Sequence, residues 1–125
     1  MPDDYKFFCF NGKVKFFKVD FGRFIEHHAN YYSPAGELLD FGEKGLEPDY
    51  SKKIDLPDNL SEMIRIAEAL SDKEPFLRVD LYNIQGKIYF GELTFFPAGG
   101  LGLWTDSSVD ELIGNYLELP NAEEI

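Results

Sequence analysis

The sequence predicts an α+β fold, an antiparallel β-sheet with two main helices packed on one face. Two observations lead to this prediction. Aromatic and β-branched segments alternate with glycine turns, which is typical of antiparallel strands. The segments 60–70 and 109–117 instead carry apolar residues at the three- and four-residue spacing of amphipathic helices. We expect residues 1–125 to form a single domain, because this length suffices for one modest core.

The strands are predicted from local composition. Residues 5–10 and 14–20 are aromatic-rich and flank Asn11-Gly12, a strong signal for a two-residue hairpin turn. A third strand is predicted over 23–32. A turn at 33–36 leads to a short arm beyond it, and we expect the mixed segment 42–56 to be a loop.

The first helix begins after Asp58 or Asn59, either of which can cap it, and ends near Ser71. Its apolar face is predicted to consist of Leu60, Met63, Ile64, Ala67 and Leu70. The second helix is predicted from the capping box Ser108-x-x-Glu111.

Charge and cysteine content exclude several classes of partner. The net charge of −11 argues against binding nucleic acid or an anionic membrane surface. A phosphate ligand is compatible with this charge if magnesium accompanies it. The single cysteine, Cys9, rules out an internal disulfide and favours a cytoplasmic location. No apolar stretch is long enough to span a membrane.

The hairpin predicted over 76–95 carries an unusual set of polar residues, Arg78, Asp80, Glu92 and Thr94. A two-residue turn at Gln85-Gly86 would place the two carboxylates on opposite faces of the hairpin.

A three-residue loop over 84–86, with Gly86 in the left-handed conformation, would instead place both carboxylates and Arg78 on one face. We favour this second register. It leaves the apolar residues of the hairpin on the other face, where we expect them to pack on a helix: Leu77, Val79, Leu81, Leu93 and Phe95.

Neighbouring carboxylates repel each other unless a cation lies between them. Magnesium binds a few carboxylates together with phosphate oxygens and water, and an adjacent arginine can hold phosphate. The set is therefore a candidate metal and phosphate site at Asp80, Glu92 and Arg78. The alternative is an ordinary surface ion pair between Arg78 and one of the two carboxylates, which would contribute little.

Three stretches of the chain resemble one enzyme family. The order Arg78-Val-Asp80, a glycine turn, then Gly91-Glu-Leu-Thr-Phe-Phe-Pro-Ala-Gly99 resembles the metal-binding hairpin of ATP-grasp enzymes. The stretch Asp4-Tyr-Lys-Phe-Phe-Cys-Phe-Asn-Gly-Lys13 is similar to the opening strand pair of their second lobe. The stretch Asn59-Leu-Ser-Glu-Met-Ile-Arg-Ile-Ala-Glu-Ala-Leu70 is similar to the helix before the hairpin. The resemblance is closest to the TupA-like family, named for teichuronopeptide biosynthesis.

The resemblance implies a role for each polar residue of the hairpin and for Lys6. Asp80 and Glu92 would bind the magnesium ions that bridge the phosphates of ATP. Arg78 would be the catalytic residue facing the transferred phosphate. Lys6 and Thr94 would contact the nucleotide, although Thr94 stands where most ATP-grasp enzymes have asparagine.

The resemblance also implies a reaction and a partner. The reaction joins a carboxylate, on a small molecule or a polymer, to an amine through an acylphosphate, in cell-surface polysaccharide biosynthesis. The similar stretches cover only the second lobe of the fold. We therefore expect the chain to need the first lobe, or to self-associate, and to be inactive alone. The alternative is a non-catalytic binding or assembly module that retains the fold.

Overall fold

The computed structural model describes residues 3–21, 28–42, 46–51 and 54–95. These residues form one antiparallel sheet and one helix, which confirms the predicted α+β class. The elements in chain order are β1 (Asp3–Phe10), β2 (Lys13–Phe21), β3 (His28–Tyr32), α1 (Leu60–Ser71), β4 (Phe76–Ile84) and β5 (Lys87–Thr94). The predicted second helix and the first half of the predicted third strand lie outside the described residues.

The five strands lie in the order β3-β2-β1-β4-β5. The first strand is therefore the centre of the sheet, where it pairs antiparallel with β2 on one side and β4 on the other. In the chain, β2, β3 and α1 come between β1 and β4. This crossover brings the N-terminal strand against the predicted metal-binding hairpin.

One face of the sheet packs against α1. The buried side chains of this layer are Tyr5, Phe7, Cys9, Val14, Phe17, Val19, Tyr32, Met63, Ala67, Leu77, Val79 and Leu81. The predicted helix face is largely confirmed, since Met63 and Ala67 are buried and Leu60 and Ile64 pack beside them. Leu70 was wrongly included, because it is 45% exposed while Ser71 is buried.

The opposite face carries a second cluster, composed of Phe8, Phe10, Phe16, Tyr31, Phe41 and Phe76. Successive residues of a strand point to opposite faces, so the pairs Phe7-Phe8 and Phe16-Phe17 each contribute one ring to each layer. Phe8 stacks on Phe16 with ring centroids 4.7 Å apart, and Phe41 meets Phe16 edge-on at 5.5 Å. We call these six residues the aromatic cluster.

The first hairpin has the predicted two-residue turn. Asn11 and Gly12 both have positive φ, 53° and 82°, as a type I′ turn requires. The register then shifts once, because Phe8 pairs with Phe16 while Cys9 pairs with Val14. Lys15 is the extra residue of this β-bulge, and it is exposed. The bulge sets the two stacked rings directly opposite each other.

The second hairpin contradicts the predicted loop. Ile84 pairs with Lys87, so the turn has two residues, Gln85 and Gly86, with φ of 53° and 84°. The register shifts farther along, where Leu81 pairs with Phe90 and Asp80 pairs with Glu92. The extra residue is therefore Gly91. This bulge reverses the effect of the shorter turn, so the two carboxylates share a face after all.

Two apolar residues of this hairpin do not pack as we predicted. Leu93 and Phe95 are 38% and 54% exposed, whereas Leu77, Val79 and Leu81 are buried under α1. The reason is position, because β5 is the edge strand of the sheet.

Among the described residues, no helix is long and apolar enough to cross a membrane.

Candidate functional site

Three strands each carry a cation and a carboxylate two residues apart, on the face opposite α1. The pairs are Asp4 with Lys6 on β1, Lys18 with Asp20 on β2, and Arg78 with Asp80 on β4. Glu92 on β5 lies opposite Asp80. We call these seven residues the charged strip.

The strip has an unusual arrangement of charge across the strands. Lys6 pairs with Lys18, and Asp4 pairs with Asp20, so like charges lie directly opposite one another. Such pairs are normally destabilising. The repulsion in these pairs is offset because each charged residue has an opposite charge two residues away on its own strand. The strip is therefore held together by ion pairs within strands as much as between them.

Asp80 is the centre of the strip and is only 2% exposed. Its two carboxylate oxygens accept from the guanidinium of Arg78, Nε to Oδ1 at 2.9 Å and Nη2 to Oδ2 at 3.0 Å. The ammonium of Lys6 donates to Oδ2 at 3.1 Å. A buried carboxylate needs this compensation, because burial strongly disfavours an unpaired charge.

Glu92 is held less tightly. Its side chain is 65% exposed, and its charged contact within the described part of the chain is a 3.4 Å approach of Oε1 to Nη2 of Arg78. The same nitrogen contacts Asp80, so Arg78 bridges the two carboxylates. The positive group that lies between Asp80 and Glu92 is therefore the guanidinium of Arg78.

Lys6 joins the centre of the sheet to the hairpin. Its ammonium contacts the carboxylates of both Asp4 and Asp80. Burial acts to lower the pKa of Lys6, but the hydrogen bond to Asp4 and the charge of Asp80 outweigh it and raise the pKa above its ordinary value. Lys6 is therefore a permanent cation at neutral pH.

These residues border an open cavity of about 420 Å³, lined by Asp4, Lys6, Asp80, Tyr82, Phe90, Gly91 and Glu92. Among the described residues, no group of three or more histidine, cysteine, aspartate or glutamate side chains is placed to hold a metal ion. Within the described residues, a metal ion could bind the two opposed carboxylates of Asp80 and Glu92, and other ligands would have to complete its coordination shell.

Part of this strip was predicted from the sequence. The predicted residues Arg78, Asp80 and Glu92 lie together in the structure, and Lys6 contacts Asp80. Thr94 lies opposite Arg78 at the end of β5.

Asp4, Lys18 and Asp20 were not predicted as site residues from the sequence. A signal was present, since each of these belongs to a cation–carboxylate pair two residues apart within an aromatic strand, as Arg78 and Asp80 do.

Cys9 is no part of the site. It is fully buried on the helix face of β1. Burial raises the pKa of its thiol to about 11. The thiol is therefore protonated and unreactive at neutral pH.

The sequence matches the TupA-like ATPgrasp family over residues 2–118. The chain belongs to the TupA-like ATP-grasp family. This match covers the sheet, the helix and every residue of the charged strip. No solved structure matches the chain. The family assignment supports an ATP-grasp-type ligase fold, and ATP-grasp proteins generally bind ATP and Mg²⁺.

Proposed function

We propose that this TupA-like chain supplies the metal- and phosphate-binding lobe of an ATP-dependent carboxylate–amine ligase. One observation carries the proposal, namely that Asp80 lies directly opposite Glu92 with the guanidinium of Arg78 between them. Two carboxylates that enclose a positive group form a donor set suited to a divalent ion. The family match gives this geometry its chemical setting.

The donor set fits magnesium as one part of a complex with ATP. Asp80 and Glu92 would hold the ion, and phosphate oxygens and water would complete its six ligands. When bound, magnesium supplies positive charge that makes the triphosphate tolerable beside carboxylates and polarises the transferred phosphoryl group. The cavity beside the pair is open, which leaves room for phosphates.

Arg78 and Lys6 would act on the phosphates directly. A guanidinium presents paired donors that match two phosphate oxygens, and that of Arg78 contacts Asp80 and Glu92, which line the cavity. Lys6 keeps its charge at neutral pH, so it can hold a phosphate oxygen without giving up a proton. Thr94, opposite Arg78, would offer a hydroxyl to the nucleotide or to a bound water.

The reaction has two balanced steps. A substrate carboxylate oxygen attacks the γ-phosphorus of ATP, the bond to the β-phosphate oxygen breaks, and ADP leaves from an acylphosphate. An amine then attacks the acyl carbon, inorganic phosphate leaves, and the nitrogen loses a proton to form the amide. Arg78 would stabilise the negative charge that develops on the phosphoryl oxygens in the first step. We infer that the setting is cell-surface polysaccharide or teichuronopeptide-type biosynthesis in the cytoplasm.

The proposed ligase needs a first lobe to hold adenine and cover the phosphates. Three apolar side chains of β5, Tyr89, Phe90 and Leu93, are 47%, 59% and 38% exposed. An exposed apolar edge of this kind is usually covered by association. We expect the first lobe or a second copy of the chain to cover it, and light scattering of the purified chain decides whether copies associate.

The first test is magnesium-dependent binding of labelled ATP to the chain by equilibrium dialysis. Asp80→Asn and Glu92→Gln should each weaken it roughly 10- to 100-fold. The matched control is Glu62→Gln, which makes the same chemical change at a carboxylate that pairs with Arg65 on the exposed face of α1. Magnesium-dependent binding that survives both substitutions in the strip would refute the metal assignment.

The second test restores turnover. A first lobe supplied in trans or by fusion should allow ATP-dependent phosphate release with a carboxylate acceptor. Arg78→Ala should lower turnover more than ATP affinity, because its charge acts mainly on the transition state. Variants of Asp80 and Glu92 that turn over as fast as the parent would show that the strip is structural.

A non-catalytic binding or assembly module is the second candidate. The observation that favours it is the balanced network of two cations and two carboxylates, Lys6 and Arg78 with Asp4 and Asp80, which pairs these charges without any ligand. A partner protein that binds the parent and an Asp80→Asn, Glu92→Gln double variant equally well would support this reading.

A further inference from the structure

The guanidinium of Arg78 occupies the space between the two proposed metal ligands. Nη2 donates to Asp80 Oδ2 at 3.0 Å and to Glu92 Oε1 at 3.4 Å. Nε donates to Asp80 Oδ1 at 2.9 Å. A metal ion shared by these carboxylates must therefore approach oxygen atoms that already accept from Arg78, and two positive groups in one place repel strongly.

We propose that Arg78 makes the site selective for a metal–triphosphate complex over a free divalent cation. The inference rests on the proposed function, because it takes Asp80 and Glu92 as the metal ligands. In the protein without nucleotide, the guanidinium substitutes for the ion. A free cation that enters must displace Arg78 and brings no new partner for it. A metal–triphosphate complex brings phosphate oxygens that the displaced guanidinium can bind.

The contacts indicate that Arg78 moves and Lys6 stays. The ammonium of Lys6 has two carboxylate partners, Asp4 and Asp80, so it remains paired whatever Asp80 does. Arg78 reaches outward to Glu92, whose side chain is 65% exposed. Both of its carboxylate partners, Asp80 and Glu92, line the open cavity, so the guanidinium lies beside the space that phosphates would enter.

The consequence is a linkage between the two ligands. Metal alone binds weakly, because its binding includes the loss of the contacts of Arg78 to Asp80. Nucleotide supplies the compensating contacts, so each ligand raises the affinity of the other. Without Arg78, the site would hold a bare divalent ion more tightly and lose this preference.

The test measures free Mn²⁺ by electron paramagnetic resonance, since Mn²⁺ shares the preference of Mg²⁺ for carboxylate oxygens. Arg78→Met should bind Mn²⁺ alone about tenfold more tightly than the parent, and Mn–ATP less tightly. Arg65→Met is the matched control. It removes one positive charge from an exposed helix position that contacts Glu62, so it corrects for the change in net charge.

The outcomes separate the two proposals. Equal Mn²⁺ affinity in Arg78→Met and Arg65→Met overturns the selectivity proposal, and if Glu92→Gln still weakens that binding, the proposed metal site stands. Binding of Mn²⁺ that is indifferent to Glu92→Gln in every background overturns both.

A measurement on the parent protein covers the case in which Arg78→Met does not fold. The Arg78 Nε–H resonance, assigned by its loss in Arg78→Lys, should shift when Mg–ATP saturates the site, because its hydrogen bond to Asp80 breaks. A resonance that is unmoved at saturation overturns the proposal.

Discussion

The two hairpins share the same kind of turn and a β-bulge, but these features align different kinds of residue. Each has a two-residue turn with a glycine at its second position, and each contains one β-bulge. In the β1–β2 hairpin the bulge sets Phe8 opposite Phe16 in the aromatic cluster. In the β4–β5 hairpin the bulge sets Asp80 opposite Glu92 in the charged strip.

The difference between them lies in position within the sheet. β1 and β2 are interior strands, so both faces of that hairpin are buried and its register is supported by packing on two sides. β5 is an edge strand with most of its side chains exposed. The comparison teaches that the turn and bulge only align residues. Whether the aligned pair becomes core or candidate site depends on what covers it.

The largest expected effect is on the aromatic cluster. Phe16→Ala, at a ring that is 1% exposed, should lower the free energy of unfolding by about 3–5 kcal/mol. Phe90→Ala makes the same change in the other hairpin, at a ring that is 59% exposed, and should cost less than about 1 kcal/mol. Urea denaturation measures both. Similar losses would mean that the edge hairpin is as tightly packed as the interior one.

The next largest difference in stability is expected between alanine substitutions at the two turn glycines, Gly12 and Gly86. A Cβ at Gly12 would lie 1.8 Å from the backbone oxygen of Asp72, whereas a Cβ at Gly86 would meet nothing within 4 Å. Both residues have positive φ. Gly12→Ala should therefore cost about 3 kcal/mol or more, and Gly86→Ala only about 1 kcal/mol, the strain of the left-handed conformation. Thermal unfolding checks the order, and a larger loss at Gly86 would contradict it.

Burial in the interior hairpin should also affect how the free energy of unfolding depends on pH. The pKa of Cys9 rises from 9.0 to about 11 on folding, because burial disfavours the thiolate. A raised pKa stabilises the fold fully below the unfolded value, and this contribution is lost as pH rises through the folded value.

Unfolding free energy should thus fall by about 2 kcal/mol between pH 9 and 11 through Cys9. Denaturant titrations at several pH values measure this, and Cys9→Ala is the control, since it keeps every other titrating group. A parent and a variant with parallel pH profiles would show that the thiol does not contribute.

A smaller effect on stability is expected at the bulge of the edge hairpin. A Cβ at Gly91 would lie 2.9 Å from the backbone oxygen of Asp80, so alanine there must shift one strand. Gly91→Ala should cost about 1–2 kcal/mol and weaken magnesium-dependent ATP binding roughly tenfold, because Glu92 moves relative to Asp80. Gly86→Ala, in the same hairpin, should leave that binding unchanged. Equal binding by both variants would show that the bulge does not position Glu92.

The register of the edge hairpin shows how far sequence reasoning reached. The shared face of Asp80 and Glu92 was predicted, but for the wrong reason. The predicted three-residue loop and the observed two-residue turn with a bulge at Gly91 both restore this face. Local sequence does not distinguish them, because each contains a glycine where one is needed. The pairing along the whole ladder, from Ile84 with Lys87 to Arg78 with Thr94, distinguishes them.

The sequence by itself determined the strands, the first helix and the polar set of the β4–β5 hairpin, since these depend on side-chain periodicity and on glycine in the turns. Only the tertiary structure decided that β1 lies between β2 and β4, which brings Lys6 to Asp80 and lines up the buried pair Lys18 and Asp20 beside them. These contacts join residues far apart in the chain. Strand order follows from burying both faces of one sheet. The free energy of this burial, set against the loss of chain entropy, depends on the whole molecule, and no local sequence pattern contains it.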